Sequence, residues 1–241
     1  MPRSDQKPQK PADPKKVSPG DPFRVLLLAT SNQGKVREYK ALLKPLLVKL
    51  SLNLLTLGDL KARGFEFPEA REGAQSFTEN AFLKARHYAD LSSCPTLADD
   101  SGLCVLALDG APGVLSARYG AVGLTDPKRS QKLLTDLDKK LLSLNTQNKT
   151  REAYFETALV LAKKGLDNHL AWTGRLHGSI AAAPKGAGGF GYDPIFIPRG
   201  YDQTLAELSL SEKNRLSHRG EAIFKALKDS DLIDAFLGQG E

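Results

Sequence analysis

Apolar residues along the chain fall into runs separated by polar, glycine-rich or proline-rich breaks, and the period of each run predicts an element. Phe23 to Thr30 is an apolar run of strand length and reads as a buried strand. After Ser31 to Lys35 the apolar positions move to helical spacing, at Val36, Tyr39, Leu42 and Leu43. Leucine-rich Leu46 to Leu57 suggests a second strand, and Gly64, Pro68 and Gly73 mark a loop beyond it. Ser76-Phe77-Thr78-Glu79 has capping-box spacing, so a helix is predicted to about Leu91, burying Ala81, Phe82, Ala85, Tyr88 and Ala89. Leu97-Ala98 leads into Asp99-Asp100-Ser101-Gly102, read as a turn closed by glycine, and Leu103 to Leu108 reads as a further buried strand. Asp126 as N-cap and Pro127 open a helix whose leucines at 133, 134, 137, 141 and 142 make one apolar face. Asn145 to Arg151 reads as a loop, then Tyr154 to Ala162 and His169 to Ile180 as two strands about a turn at Lys164-Gly165. Ile195-Phe196-Ile197 is strand-like, and a closing helix places Ala222, Ile223, Ala226 and Leu227 on its apolar face.

Composition narrows the setting. With 241 residues, 41% of them hydrophobic, the chain can bury a sizeable core as one large or two small units. The longest apolar stretches, Val25 to Ala29 and Leu103 to Leu108, fall far short of the ~20 residues a membrane-spanning helix needs. Residues 1–22 are proline-rich and almost devoid of apolar side chains, so they are expected to form a disordered basic tail without a signal-peptide core, and the fold is assigned to residues 23–241 as a single domain. Cys94 and Cys104 have no metal-ligand spacing, which makes a reducing cytoplasm the default location. A net charge of +6 suits an anionic partner, nucleic acid being the first thought. Basic residues in the body of the chain mostly alternate with acidic ones, however, and that pattern describes a solvated surface better than a phosphate groove.

Four stretches carry candidate chemistry. Adjacent carboxylates at Asp99 and Asp100 repel unless solvated or neutralised, and a divalent cation is the obvious neutraliser, although the same residue types also make an ordinary polar turn. Glu79 is accounted for as a helix cap, whereas Glu72 in the irregular segment upstream is the better third carboxylate. Ser31-Asn32-Gln33-Gly34-Lys35, between a strand and a helix, places backbone N–H groups and a lysine where an anion would sit. It is not a Walker P-loop, since Ala29 stands where that motif has its first glycine and Val36 follows the lysine. Lys185 to Pro194 threads Phe190 and Tyr192 through glycines, offering stacking surfaces for a flat ligand or simply a flexible hairpin loop. Lys213, His218 and Arg219 supply donors suited to carbonyl or phosphate oxygens.

Thr30 to Lys35, Ser76 to Ala81, Ala98 to Leu103, Gly189 to Pro194 and Ser217 to Gly220 together resemble, in order, the motifs of the Ham1-type inosine/xanthosine triphosphate pyrophosphatases. The resemblance runs from about Arg24 to about Phe236 and leaves out the tail; it departs from the family where Gly73, not Ala74, carries the glycine after Glu72. It implies an α/β fold in which an elongated mixed sheet and flanking helices form two lobes around a nucleotide cleft, usually in a homodimer. It implies hydrolysis of non-standard purine nucleoside triphosphates to the monophosphate and pyrophosphate, with Mg²⁺ held by Glu72 and Asp100 and with Asp100 as the general base. By motif position, Thr30, Ser31, Asn32, Gln33, Gly34 and Lys35 would hold the triphosphate, and Ser101 would lie beside it. Phe190, Gly191, Tyr192 and Asp193 would contact base and sugar, while Lys213, His218 and Arg219 would face the purine's keto edge. The alternatives are a Maf-type pyrophosphatase acting on modified or pyrimidine nucleotides, and a basic nucleic-acid-binding module.

Overall fold

The computed structural model describes residues 24–71, 73–144 and 150–239. The expected tail and most of the predicted loop at Asn145 lie outside them. A mixed six-stranded sheet runs through the described residues in the order β2-β1-β3-β4-β5-β6. Strand β1 (Arg24–Leu28) is parallel to β2 (Leu52–Thr56) and to β3 (Thr96–Val105), whereas β4 (Glu152–Ala162), β5 (Leu170–Ile180) and β6 (Phe196–Pro198) continue antiparallel. Because β2 and β3 flank β1 on opposite sides, a crevice opens at the carboxyl end of β1, where open α/β sheets bind ligands.

The Asp99-Asp100 segment is a correction. It is not a turn: both residues lie inside β3, paired with Leu159 and Ala158 of β4, and the strand continues to Val105 before a short 3₁₀ turn at Leu106–Leu108. Side chains alternate along a strand, so the two carboxylates point to opposite faces rather than crowding one another. On one face β3 presents Leu97, Asp99, Ser101, Leu103 and Val105. Leu97 belongs to a core cluster with Leu159, Leu161 and Trp172 beneath α1 (Gln33–Leu42), α7 (His218–Lys228) and α8 (Ser230–Leu237). Leu103 and Val105 belong to a second cluster, in which Phe155, Ile180 and Phe196 meet Leu133, Leu134 and Leu137 of α5 (Asp126–Ser143). Asp99 and Ser101 thus make a polar seam between two hydrophobic clusters, continued on β4 by Thr157. The opposite face packs Ala98, Ala158 and Val160 against Ala81 and Ala85 of α4 (Phe77–Ser92), with Asp100 set among them.

Other predictions shift for physical reasons. The leucine-rich run divides into α2 (Lys44–Lys49) and β2, because Leu46 and Leu50, one helical turn apart, both enter the core. A helix that the apolar pattern did not reveal, α3 (Leu57–Ala62), follows on a Thr56–Asp59 capping box. Thr125, not Asp126, occupies the N-cap of α5, and Leu142 of the predicted apolar face is 82% exposed. The single closing helix is three: α6 (Leu210–Leu216), α7 and α8. Lys213 therefore lies in α6, and His218 and Arg219 open α7 behind a Ser217 cap, buried rather than on the surface. No helix among the described residues is long and apolar enough to cross a membrane.

Candidate active site

The polar seam opens into a cleft of about 880 Å³. Its near wall is the start of α1. Asn32 caps that helix by accepting from the Lys35 N–H at 3.1 Å, and the Asn32 N–H donates to Thr30 Oγ1 at 3.3 Å; the Gln33 and Gly34 N–H groups are not used by these bonds, at a helix start where an anion is favoured. Thr30, Ser31, Asn32 and Lys35 line the cleft. Gln33 is turned to the exposed side, its Nε2 donating to Ser31 O at 3.3 Å. Gly34 lies directly beneath the Phe190 ring: a Cβ there would stand 2.4 Å from a ring carbon.

The floor is a chain of buried charges of alternating sign. Lys35 Nζ lies 2.8 Å from Asp99 Oδ2, and Arg219 Nε lies 3.7 Å from the same oxygen. Arg219 Nη1 reaches Glu38 Oε2 at 2.8 Å, Glu38 Oε1 takes Lys213 Nζ at 2.7 Å, and Lys213 ends on Asp193. Three cations thus offset three carboxylates, as buried charges require. Burial alone would raise the Asp99 carboxyl; Lys35 and Arg219 outweigh it and hold the group down to about 2. Lys35 is lowered by its own burial, against the pull of Asp99, and Asp193 is raised by burial despite Lys213. Arg219 also donates from Nη2 to Ser101 Oγ at 2.9 Å, tying the seam serine to the same network.

On the far wall, Phe190 lies over Lys213 and Arg219, with Nζ 4.7 Å and Cζ 5.3 Å from its centroid. His218 stacks on Phe155 at 5.0 Å and 11°. Neither of its ring nitrogens has a hydrogen-bond partner, and burial followed by the nearby Arg219, Lys213 and Lys35 pushes its pKa well below the usual range. It is a neutral imidazole with a donor and an acceptor unspent, on the cleft wall. Tyr192 is buried and donates its hydroxyl to Ser116 O at 2.9 Å, so it braces the wall.

Asp100 reaches the cleft from the other face of β3. Its Oδ2 accepts from Asn80 Nδ2 at 3.1 Å, and its Oδ1 from the Ser101 N–H at 3.0 Å. The same Asn80 amide exchanges hydrogen bonds with both backbone groups of Ala74, at 3.0 and 3.2 Å, so it ties the segment following Glu72 to Asp100. Glu72 itself lies outside the described residues. Among those residues no group of three or more His, Cys, Asp or Glu forms a metal cage. A hard carboxylate at the cleft edge nevertheless fits Mg²⁺, which characteristically takes one or two carboxylates together with water and substrate phosphates.

The sequence reading missed several neighbours. Lys84 lines the cleft and donates to Asp99 O at 3.0 Å, while Glu38 is the carboxylate that joins Lys213 to Arg219. A signal existed for both. Asn80, Lys84 and Tyr88 recur every four residues beside the buried alanines of α4, and Glu38 lies next to Tyr39 on the buried side of α1. Polar residues on an apolar face are the informative exceptions.

The Ham1 family model matches residues 26–229. The chain belongs to the Ham1 family. A relative named dITP/XTP pyrophosphatase from Desulfotalea psychrophila is 41% identical over 215 residues, 89% of each chain. One of the same name from Geobacter sulfurreducens is 42% identical over 204 residues, covering 85% of this chain and 94% of its own. Among solved structures, a HAM1 protein from Coxiella burnetii is 35% identical with a TM-score of 0.74, over 88% of this chain and all of that one. The Staphylococcus aureus Ham1 protein is 32% identical with a TM-score of 0.68, over 90% of this chain and all of its own. The Ham1 match runs from within β1 through α7, taking in the seam, the second cluster and all of the first except its α8 residues.

Proposed function

We propose that this protein hydrolyses non-standard purine nucleoside triphosphates, those of inosine, deoxyinosine and xanthosine, to the monophosphate and pyrophosphate with Mg²⁺. One observation carries the reading: an anion-binding helix start, a cleft-edge carboxylate and a buried donor set for a keto oxygen line one cleft of nucleotide size. The names of the family relatives support the same substrate class.

In this mechanism the first turn of α1 and Lys35 bind the triphosphate, and Lys84 adds a second cation on the α4 side. Asp100 orients the attacking water and accepts its proton as the oxygen bonds to the α-phosphorus, and pyrophosphate leaves as the α–β anhydride breaks. Asp100, with Glu72, would hold Mg²⁺, which neutralises phosphate oxygens and polarises the anhydride when bound. Ser101 is no nucleophile here; its hydroxyl oxygen accepts from Arg219. The purine lies along Phe190, and the neutral His218 donates an N–H to its 6-keto oxygen. An adenine amine at that place would leave a buried donor unpaired, a mismatch that can discriminate by as much as ~10⁴.

Pyrophosphate release from inosine, xanthosine, guanosine and adenosine triphosphates, with Mg²⁺ and with chelator, tests this directly. Chelator-sensitive release from the first two, far above the other two, is the expected outcome. Equal turnover of adenosine triphosphate would remove the keto-recognition argument, and no turnover of any would overturn the proposed reaction.

A further inference from the structure

Asp126 carries the start signal of α5 in the sequence, yet Thr125 takes the N-cap and leaves the Asp126 carboxylate available elsewhere. Its Oδ2 accepts from the Gly191 N–H at 2.8 Å, and its Oδ1 from Arg129 Nη1, also at 2.8 Å. Arg129 is buried and anchored in turn by Nη2 to Leu124 O at 2.6 Å. On the same turn of helix, Ser130 Oγ donates to Gly191 O at 3.3 Å. The start of α5 therefore grips both backbone groups of a single residue 65 positions away.

That residue governs an aromatic. Gly189 and Gly191 both have positive φ, +72° and +63°, so the turn bearing Phe190 is built on two left-handed positions that side chains disfavour. Phe190 has no polar atom in its side chain to fix it. Its backbone N–H is held by Asp193 at 2.7 Å, and its ring rests on the bare Cα of Gly34, in front of Lys213 and Arg219. The direction of the ring is set by the turn, and one side of the turn is set by Asp126.

We propose that Asp126, braced by Arg129, is a specificity-determining positioning residue: it fixes the Gly191 turn so that Phe190 stands as the platform for the base. The proposal rests on the reading of the cleft given under Proposed function. It makes a separable demand. Loss of Asp126 should weaken ligands that carry a purine and leave base-free polyphosphate untouched, because the α1 phosphate site does not involve the turn's hydrogen bonds to α5.

The test uses the full chain as wild type, Asp126→Ala and Asp126→Asn, with thermal melts to establish that each folds. KM and kcat are measured for inosine triphosphate with Mg²⁺, and inorganic tripolyphosphate is titrated as a competitive inhibitor. Asp126→Ala is expected to raise KM about tenfold while kcat stays within about twofold and the tripolyphosphate inhibition constant is unchanged. Asp126→Asn keeps an acceptor for Gly191 and should fall between the two. An unchanged KM, or an equal rise in the tripolyphosphate constant, overturns the proposal. Should Asp126→Ala fail to fold, the same split in smaller measure is required of Asp126→Asn and Ser130→Ala. A wild type that turns over no purine triphosphate defeats the proposed reaction. Calorimetric binding of inosine triphosphate and of tripolyphosphate to wild type and Asp126→Ala would then still decide the positioning role, and a wild type that binds neither defeats both.

Discussion

Asp100 and Asp99 are neighbours in the chain with unlike surroundings. Asp99 is sealed among Lys35 and Arg219, where it balances charge, and Asp100 stands at the cleft edge, where Asn80 donates to its Oδ2. Asp100→Asn keeps an oxygen for Asn80 and removes the proton acceptor. Turnover should fall by about 10²–10⁴ while the thermal midpoint stays close to wild type, as steady-state assays and a melting curve would show. A variant as active as wild type would leave the water without its base and exclude Asp100 from that role.

At the scale of elements, α1 and the Gly189–Gly191 turn meet where the Phe190 ring lies on Gly34. Gly34 lies inside α1 at an ordinary φ, so alanine there should favour the helix by up to about 1 kcal/mol while its Cβ displaces the Phe190 ring. Gly34→Ala is therefore expected to hold or raise the melting temperature and to raise KM for inosine triphosphate; a lower melting temperature with KM unchanged would contradict this. The same scale shows how far the sequence could be read. Local signals named α4 by its Ser76 cap, and β4 and β5 by alternation about Lys164-Gly165, to within a few residues. The start of α1 was legible as a strand-to-helix turn because its cap and glycine act locally. Two things were not legible. Asp99-Asp100-Ser101-Gly102 has the composition of a turn, and only pairing with β4 along its whole length holds it extended. The charge chain from Lys35 to Asp193 joins residues from α1, β3, the 3₁₀ turn before β6, α6 and α7, and no spacing within one element reveals it.

For the molecule as a whole, burying ionisable groups makes stability depend on pH. His218 has its pKa lowered on folding, so the unfolded chain binds a proton the folded chain refuses, and stability must fall as pH drops below the unfolded value near 6.5. Between pH 7 and 5 the loss grows as the unfolded imidazole takes up its proton and the buried one does not. Urea denaturation at both pH values should show His218→Gln losing less stability over this interval than wild type; parallel losses would refute it. Asp99 acts lower on the scale. Its carboxyl is depressed to about 2, so its contribution is full above the unfolded value near 3.8 and disappears as pH falls through 2.

The continuity of β3 also bears on how this protein can change over evolutionary time. Removing one codon between Thr96 and Asp99 would send Asp100 towards Lys35 and Arg219, and Ser101 to the cleft edge that Asp100 now occupies, unless β3 also slipped against its neighbours. Removing two would restore the faces but shift every side chain by two positions against β4. Substitutions can be sampled one at a time in this strand, but insertions and deletions cannot. Its length should drift far more slowly among descendants than the lengths of the surface loops around it.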